Sequence, residues 1–224
     1  MIITIDGPAG SGKSTVAKLL AKDLNVRFLD TGAMYRAVAF AVLQAGIDES
    51  RTEEVASVAE GVQIAFQDSR LLLNNKDVTT QIRMPDVTAV SSIIASNPRV
   101  RARMVELQRM IGQQGSLVTE GRDQGTVVFP HAEFKFFLTA SLDARAWRRH
   151  QELHAKGSQL PLHIVRDQLR QRDDRDENRI HAPMKPAEDA ITIDTSDHTI
   201  AEVVEILIRR IQTPTDQGAP PARE

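Results

Sequence analysis

The stretch "GPAGSGKST", Gly7 to Thr15, follows the short apolar run "IITID" and precedes "VAKLLAKDL". Eight of its residues, Gly7 to Ser14, fit the pattern G-x-x-x-x-G-K-[ST]. The β-branched run reads as a buried parallel strand. Val16, Leu19, Leu20 and Leu24 recur near helical spacing, so the loop joins a strand to a helix. Such a loop suits a phosphate chain, which needs many donors and little bulk. Gly7, Gly10 and Gly12 let successive N–H groups turn inward, and the helix start adds its positive dipole end. Lys13 can reach β- and γ-phosphates, and the Ser14 hydroxyl suits Mg²⁺, a hard cation that prefers oxygen.

Strand and helix signals alternate along the rest of the chain. "VRFLDT" reads as a second strand, "GAMYRAVAFAVLQAG" as a helix closed by Gly46, and "SRTEEVASVAEG" as another. Val62 to Thr79 changes texture to short strands around "QDS" and "NNKD" turns, a small antiparallel insert. Two helices flanking Asn97-Pro98 follow, then strands at "SLVTEG" and "FKFFLTAS". "DARAWRRHQELHAKG" and "LHIVRDQLRQRDD" read as helices, "AITIDTS" as a last strand and "TIAEVVEILIRRI" as the closing helix. The alternation predicts an α/β fold: a parallel sheet flanked by helices on both faces. Residues 213–224 are polar and proline-rich, and disorder is expected there.

The chain has 224 residues, a net charge of −2 and no cysteine. That excludes disulfide and thiolate chemistry and gives no global basic field for nucleic acid. No apolar run approaches the roughly 20 residues that span a bilayer. With no basic segment ahead of its apolar start, a cytoplasmic protein with no membrane or nucleic-acid partner is expected, and a monomer.

The loop alone does not separate kinase, ATPase and GTP switch. A guanine-reading N-K-x-D run is lacking; "NNKD" at Asn74 to Asp77 has Lys and Asp adjacent and reads as a hairpin turn. A kinase brings two polyanions together and needs arginines outside the loop. "DTGAMYR" supplies Arg36, and "EGRDQGT" puts Arg122 and Asp123 just past a core strand, where ligands bind in open α/β sheets. "RQRDDRDENR" concentrates Arg170, Arg172, Arg175 and Arg179 among acids. Asp173, Asp174 and Glu177 are expected to hold those arginines in exposed, screened pairs.

Together and in order, "GPAGSGKST", "LDTGAMYR", "SNPRVR", "EGRDQGTVVFP", "RDDRDENR" and "DAITIDTS" resemble the bacterial cytidylate kinases, P-loop nucleoside monophosphate kinases. The resemblance spans roughly residues 1 to 212. It implies a P-loop NTPase fold with core 1–61 and 97–212, a monophosphate-binding insert at about 62–96 and a short lid at about 157–179. It implies phosphoryl transfer from ATP to CMP or dCMP with Mg²⁺. By motif, Gly7, Pro8, Ala9, Gly10, Ser11, Gly12, Lys13, Ser14 and Thr15 would hold ATP, with Ser14 on the metal. Arg36, Arg122 and Arg179 would clamp the monophosphate, and Ser92, Arg101 and Asp123 would read cytosine. Thr31, Tyr35, Arg172 and Asp176 would surround the acceptor, with Asp176 on the sugar hydroxyls. Lys13, Arg148, Arg172 and Arg175 would act on the transferred phosphoryl. Asp6 or Asp123 would hold Mg²⁺ through water.

Base chemistry supports cytosine independently. An Asp accepts from N4 and an Arg donates to N3 and O2; uracil reverses both. Gln124 departs from the family pattern, either adding a polar contact or facing solvent, and Thr31 stands where some relatives have Ser. His150 and His154 have zinc-like spacing without a third ligand and read as surface. Met104, Leu107 and Met110 read as core, and Trp147 as a partly buried helix position. Rival readings are a kinase of UMP or a non-nucleotide alcohol, and an ATP-binding regulator without turnover.

Overall fold

Five parallel strands form the central sheet of the computed structural model, which describes residues 1–67, 70–155 and 157–213. They are β1 (Ile2–Asp6), β2 (Arg27–Asp30), β6 (Leu117–Gly121), β7 (Phe134–Thr139) and β8 (Ile191–Asp194), in the order β2-β6-β1-β7-β8. The chain leaves β1 toward β2, returns through β6 and then crosses to β7 on the other side. The order therefore reverses at β1, and the crevice beyond its carboxyl end is the natural ligand site of an open α/β sheet.

Side-chain alternation divides the core into two faces. Ile3, Ile5, Val118, Phe136 and Leu138 face α1 (Lys13–Asp23) and α8 (Ile200–Gln212), sharing a cluster with Val16, Leu20, Val203 and Leu207. Leu29 and Leu117 face α2 (Thr31–Gln44) and α5 (Pro98–Gly112). That second cluster continues through α3 (Thr52–Gly61) and α4 (Pro85–Ile94). It also takes in Leu71, Leu73, Val78 and Ile82 of and beside a three-stranded antiparallel sheet. This small sheet comprises β3 (Ile64–Gln67), β4 (Arg70–Leu73) and β5 (Lys76–Asp77), and Leu71 and Leu73 of β4 anchor it to that cluster.

Asn74 and Asn75 both take positive φ, 50° and 65°, between β4 and β5. That is the twist a two-residue hairpin needs, and asparagine tolerates it. Asn74-Asn75 thus form the hairpin turn the sequence implies, while Lys76 and Asp77 of the "NNKD" run already belong to β5. The expected turn at Asp68-Ser69 lies outside the described residues, as does the tail from 214 onward. Met104 is fully buried and Leu107 packs against the core, but Met110 is 53% exposed on the outer face of α5. Trp147 is likewise 55% exposed rather than partly buried. Among the described residues no helix is long and apolar enough to cross a membrane.

Two further helices, α6 (Leu142–Ala155) and α7 (Leu162–Asn178), pack against each other. Ala146, Val165 and Leu169 join Ala9 of the glycine-rich loop in a small apolar cluster, which places this helix pair against the loop.

Candidate functional site

The loop between β1 and α1 is shaped by close backbone approach. Gly7 has φ 147°, and a Cβ there would lie 2.0 Å from the Leu138 carbonyl oxygen. At Gly10, with φ 80°, an added Cβ would lie 3.1 Å from the Arg145 Cβ and 3.2 Å from its carbonyl oxygen. Gly12 N-caps α1 with no side-chain cap, so the first-turn amides are left for a ligand. Ser14 and Thr15 are exposed, while the buried Ser11 Oγ has no hydrogen-bond partner. Lys13 is 5% exposed and donates from Nζ to the Pro8 carbonyl at 2.9 Å. Burial, then the Arg122 and Arg172 guanidiniums, pull its pKa down to about 7.

Past the end of β6, a cluster of arginines and carboxylates converges from four elements. Arg122 Nε donates to Asp176 Oδ2 at 2.8 Å. Arg179 lies 3.8 Å from Asp176 Oδ1 and 4.0 Å from Asp123 Oδ1. Arg101 pairs with Asp123 and lies 5.8 Å from the Tyr35 ring centroid, a cation–π distance. Burial works against Asp176 ionising, but Arg122, Arg172 and Arg179 together hold its pKa below the ordinary value. Arg172 has a buried Nε without a partner; burial and the Arg122 charge lower its pKa to about 10. Burial pushes Tyr35 up to about 12, a neutral phenol at any working pH. Ser92 lines a cavity of about 360 Å³ between α4 and the end of α7, with Arg175, Asp176 and Arg179.

Other residues singled out in the sequence point elsewhere. Thr31 Oγ1 donates to the Glu120 carbonyl at 2.6 Å. Arg36 is held by Asp30, 3.2 Å away, although its charge still acts on Arg172. Arg175 is exposed and donates to the Gln171 carbonyl on its own helix. Arg148 lies apart from the cluster: its guanidinium donates to Thr195 Oγ1 and to the Thr195 and Ser196 carbonyls after β8.

Asp173, Asp174 and Glu177 do not hold the arginines of "RQRDDRDENR" in exposed pairs: Asp173 is buried against Arg145 and Ala9, and Asp174 and Glu177 are exposed with no ion pair among the described residues. Asp176, on the same side of α7 as Asp173, is buried against Arg122. Helical geometry explains this, because positions three apart share a face and that face is turned to the loop.

Asp6 is also placed away from the loop. It lies on the opposite face of β1 from Ile5, and its two oxygens accept from the Gln124 and Gly125 amides at 2.9 and 2.8 Å. Burial lifts its pKa to about 7 despite those bonds. Asp123 is taken up by Arg101. Gln124 does not face solvent: its side chain is buried between Thr119 and Gln108, bonded to each at 2.9 Å. Sequence reasoning missed Arg145, Glu120 and Gln108, and named Asp173 only as an exposed partner of the arginines. Only burial distinguishes these from surface charges, and no local spacing encodes it.

A family model described as cytidylate kinase matches residues 3–213. The cytidylate kinase of Clostridioides difficile (strain 630) is 44% identical over 211 residues, covering 94% of this chain and 98% of that protein. That of Pseudothermotoga lettingae is 46% identical over 215 residues, covering 94% and 96%. Among solved structures, an uncharacterized protein from Eubacterium ventriosum ATCC 27560 superposes with a TM-score of 0.52 at 14% identity, covering 95% of this chain and 99% of that one. That likeness speaks for the fold alone.

Proposed function

Because this chain belongs to the cytidylate kinase family, we propose that it transfers the γ-phosphoryl group of ATP to CMP and dCMP, giving ADP and CDP or dCDP in pyrimidine nucleotide metabolism. The observation that carries the reading is the Arg101–Asp123 pair, buried beside the arginine cluster. A guanidinium and a carboxylate side by side offer a donor edge and an acceptor edge. Cytosine's N3/O2 and N4 match them, and uracil's N3–H and O4 do not.

The loop from Gly7 to Thr15 is the ATP-phosphate site in this reading. Lys13 gives up its Pro8 carbonyl for the β- and γ-phosphates. Arg122, Arg179 and Arg36 hold the acceptor phosphate, with Tyr35 and Asp176 beside the nucleoside and Thr31 positioned through Glu120. Arg172 and Arg175, on α7, neutralise charge that develops on the transferring group. No covalent intermediate is required: an acceptor phosphate oxygen attacks the γ-phosphorus in line, and positioning and charge stabilisation do the catalysis. Arg148 belongs to the donor side in this reading: it donates to Thr195 Oγ1, which in turn donates to the Ser11 carbonyl of the loop.

The residues present fit Mg²⁺. The exposed Ser14 hydroxyl opens the first turn of α1. Glu120 is 4% exposed on the Val118 face of β6, the face that carries α1, and its charge acts on Lys13. With Asp6 and Asp123 engaged elsewhere, Ser14 and Glu120 are the oxygen donors that would hold the ion, directly or through water. One hydroxyl, one carboxylate and substrate phosphates suit a metal that keeps several waters. When bound it offsets phosphate charge.

The segments 62–96 and 157–179 serve in this reading as the acceptor-binding insert and the lid. The test is one panel: ATP·Mg²⁺ with each ribo- and deoxyribonucleoside monophosphate, following ADP. CMP and dCMP should far exceed UMP, AMP and GMP. Equal turnover of UMP and CMP would remove the base-reading argument, and no ADP with any acceptor would remove the kinase reading.

A further inference from the structure

The apex of the glycine-rich loop is held by a carboxylate. Asp173 Oδ1 accepts from the Ala9 amide at 3.4 Å, and its Oδ2 pairs with Arg145 Nη1. Arg145 also donates from Nε to the Ala140 carbonyl at 2.9 Å and from Nη1 to the Ala9 carbonyl at 3.2 Å. Both residues are 7% exposed. Arg145 is therefore fixed by two backbone oxygens whether or not Asp173 is present. Asp173 is fixed by Arg145 and by one long bond to an amide that belongs to the phosphate cradle.

A phosphate oxygen on the Ala9 amide would come into contact with the Asp173 carboxylate. Two negative charges in a buried site repel strongly, so they do not share one donor. Arg145 cannot move away without breaking its carbonyl bonds. Asp173 has one long bond to release at the loop, and α7, which carries it and packs on α6, meets Ala9 of the loop in the small cluster through Val165 and Leu169. Movement of Asp173 shifts the helix that also carries Arg172, Arg175 and Asp176.

We propose that Asp173 is a positioning residue that occupies the Ala9 amide of the phosphate loop in the nucleotide-free enzyme and yields it to the nucleotide, so that filling the loop and placing α7 over the acceptor are one coupled event. The inference rests on the loop being the ATP-phosphate site. Linkage makes the coupling reciprocal: CMP, held through Asp176 and Arg179, then changes ATP affinity by the factor by which ATP changes CMP affinity.

A purely structural Asp173 and a yielding one predict opposite signs. If it only braces the loop, removing its charge weakens ATP binding. If it competes with phosphate, removing its charge tightens binding. Calorimetric titration of the full chain with a non-hydrolysable MgATP analogue, with and without CMP, separates the two. Asp173→Asn and the smaller Asp173→Ser should each bind the analogue about fivefold tighter or more, the lower end of ordinary intersite coupling. Their CMP affinity without the analogue should stay within about twofold of wild type, and the analogue–CMP coupling should fall toward one. Asp173→Glu keeps the charge and should not tighten binding. Unchanged or weaker analogue binding in both neutral variants overturns the proposal, as does failure of both to fold, which would make the carboxylate a fixed brace. If wild type itself binds no analogue, the ATP reading of the loop falls first and this inference with it.

Discussion

Arg101 and Asp123 lie 22 positions apart in sequence and meet in a buried ion pair, each side chain 6% exposed. Arg101 Nη1 also donates to the Ala95 carbonyl at 3.2 Å, which ties the guanidinium to the end of α4. The pair is thus oriented before any ligand arrives, and a base reader that is already fixed does not lose side-chain entropy on binding. Removing one partner leaves the other buried and unpaired.

Asp123→Asn should therefore lower kcat/KM for CMP by about ten- to a hundredfold, the cost of one mispaired buried charge. Its effect on UMP should be smaller, because an amide can donate to uracil O4. Steady-state kinetics with both acceptors checks this. A CMP-to-UMP ratio that stays constant would show that the pair does not read the base.

Lys13 should act mainly on the transferring phosphoryl. Lys13→Ala is expected to reduce kcat by about a hundredfold or more, while circular dichroism and the melting profile stay close to wild type. An unchanged kcat would take the loop out of the chemistry.

The same lysine gives a pH signature. In the empty site its pKa is held down to about 7 by burial and by Arg122. Phosphates surround it with negative charge and raise it again. Between pH 7 and about 10 the free protein then carries fewer protons than the complex, so ATP binding takes up a proton and weakens as pH rises. Below pH 7 the lysine is already protonated and the uptake vanishes. Calorimetry at pH 8 in buffers of different ionisation enthalpy should show uptake in wild type and none in Lys13→Ala.

How much of this was legible in the sequence follows from the range of each interaction. The strand–loop–helix unit around Gly7 to Thr15, the parallel sheet and the antiparallel insert are written in local spacing, and all are present. Arg122, Asp123 and Asp176 could be singled out because they sit in dense charged motifs. What those charges touch could not be read. Asp173 and Asp174 are adjacent, yet one is buried against Arg145 and the other is exposed. Gln124 shows the same limit: its partners Thr119 and Gln108 come from β6 and α5, and only the packed fold brings them together. Glu120 looked like any strand-end acid until the pleat turned it to the α1 side.

Asp176 offers a test of the acceptor side. It holds Arg122 at 2.8 Å and lies 3.8 Å from Arg179, so it organises two arginines besides its proposed place beside the nucleoside. Asp176→Ala should raise KM for CMP and dCMP about tenfold or more, an ordinary loss for one charged hydrogen bond, and leave KM for ATP nearly unchanged. A selective loss of ATP affinity would move Asp176 to the donor side.

The two arginines that end the charged run differ in setting, and so should their variants. Arg179 has a side chain 6% exposed and lies near Asp123 and Asp176, whereas Arg175 is exposed and, among the described residues, donates to the Gln171 carbonyl of its own helix. In the proposed reading Arg179 belongs to the acceptor pocket before nucleotide arrives, and Arg175 gains a partner of opposite charge only when α7 comes over the bound phosphates. That difference would drive closure, because a closed arrangement contacts both polyanions and an open one does not. Arg179→Ala should weaken CMP binding even without ATP. Arg175→Ala should leave CMP binding without ATP nearly intact and lower kcat about tenfold or more, as loss of a group that acts as charge develops. Hydrogen exchange across residues 157–179 tests the motion itself: protection should rise when ATP analogue and CMP are both present. Equal protection with and without the two nucleotides would mean a rigid segment, and the arginines would then have to act from where they already stand.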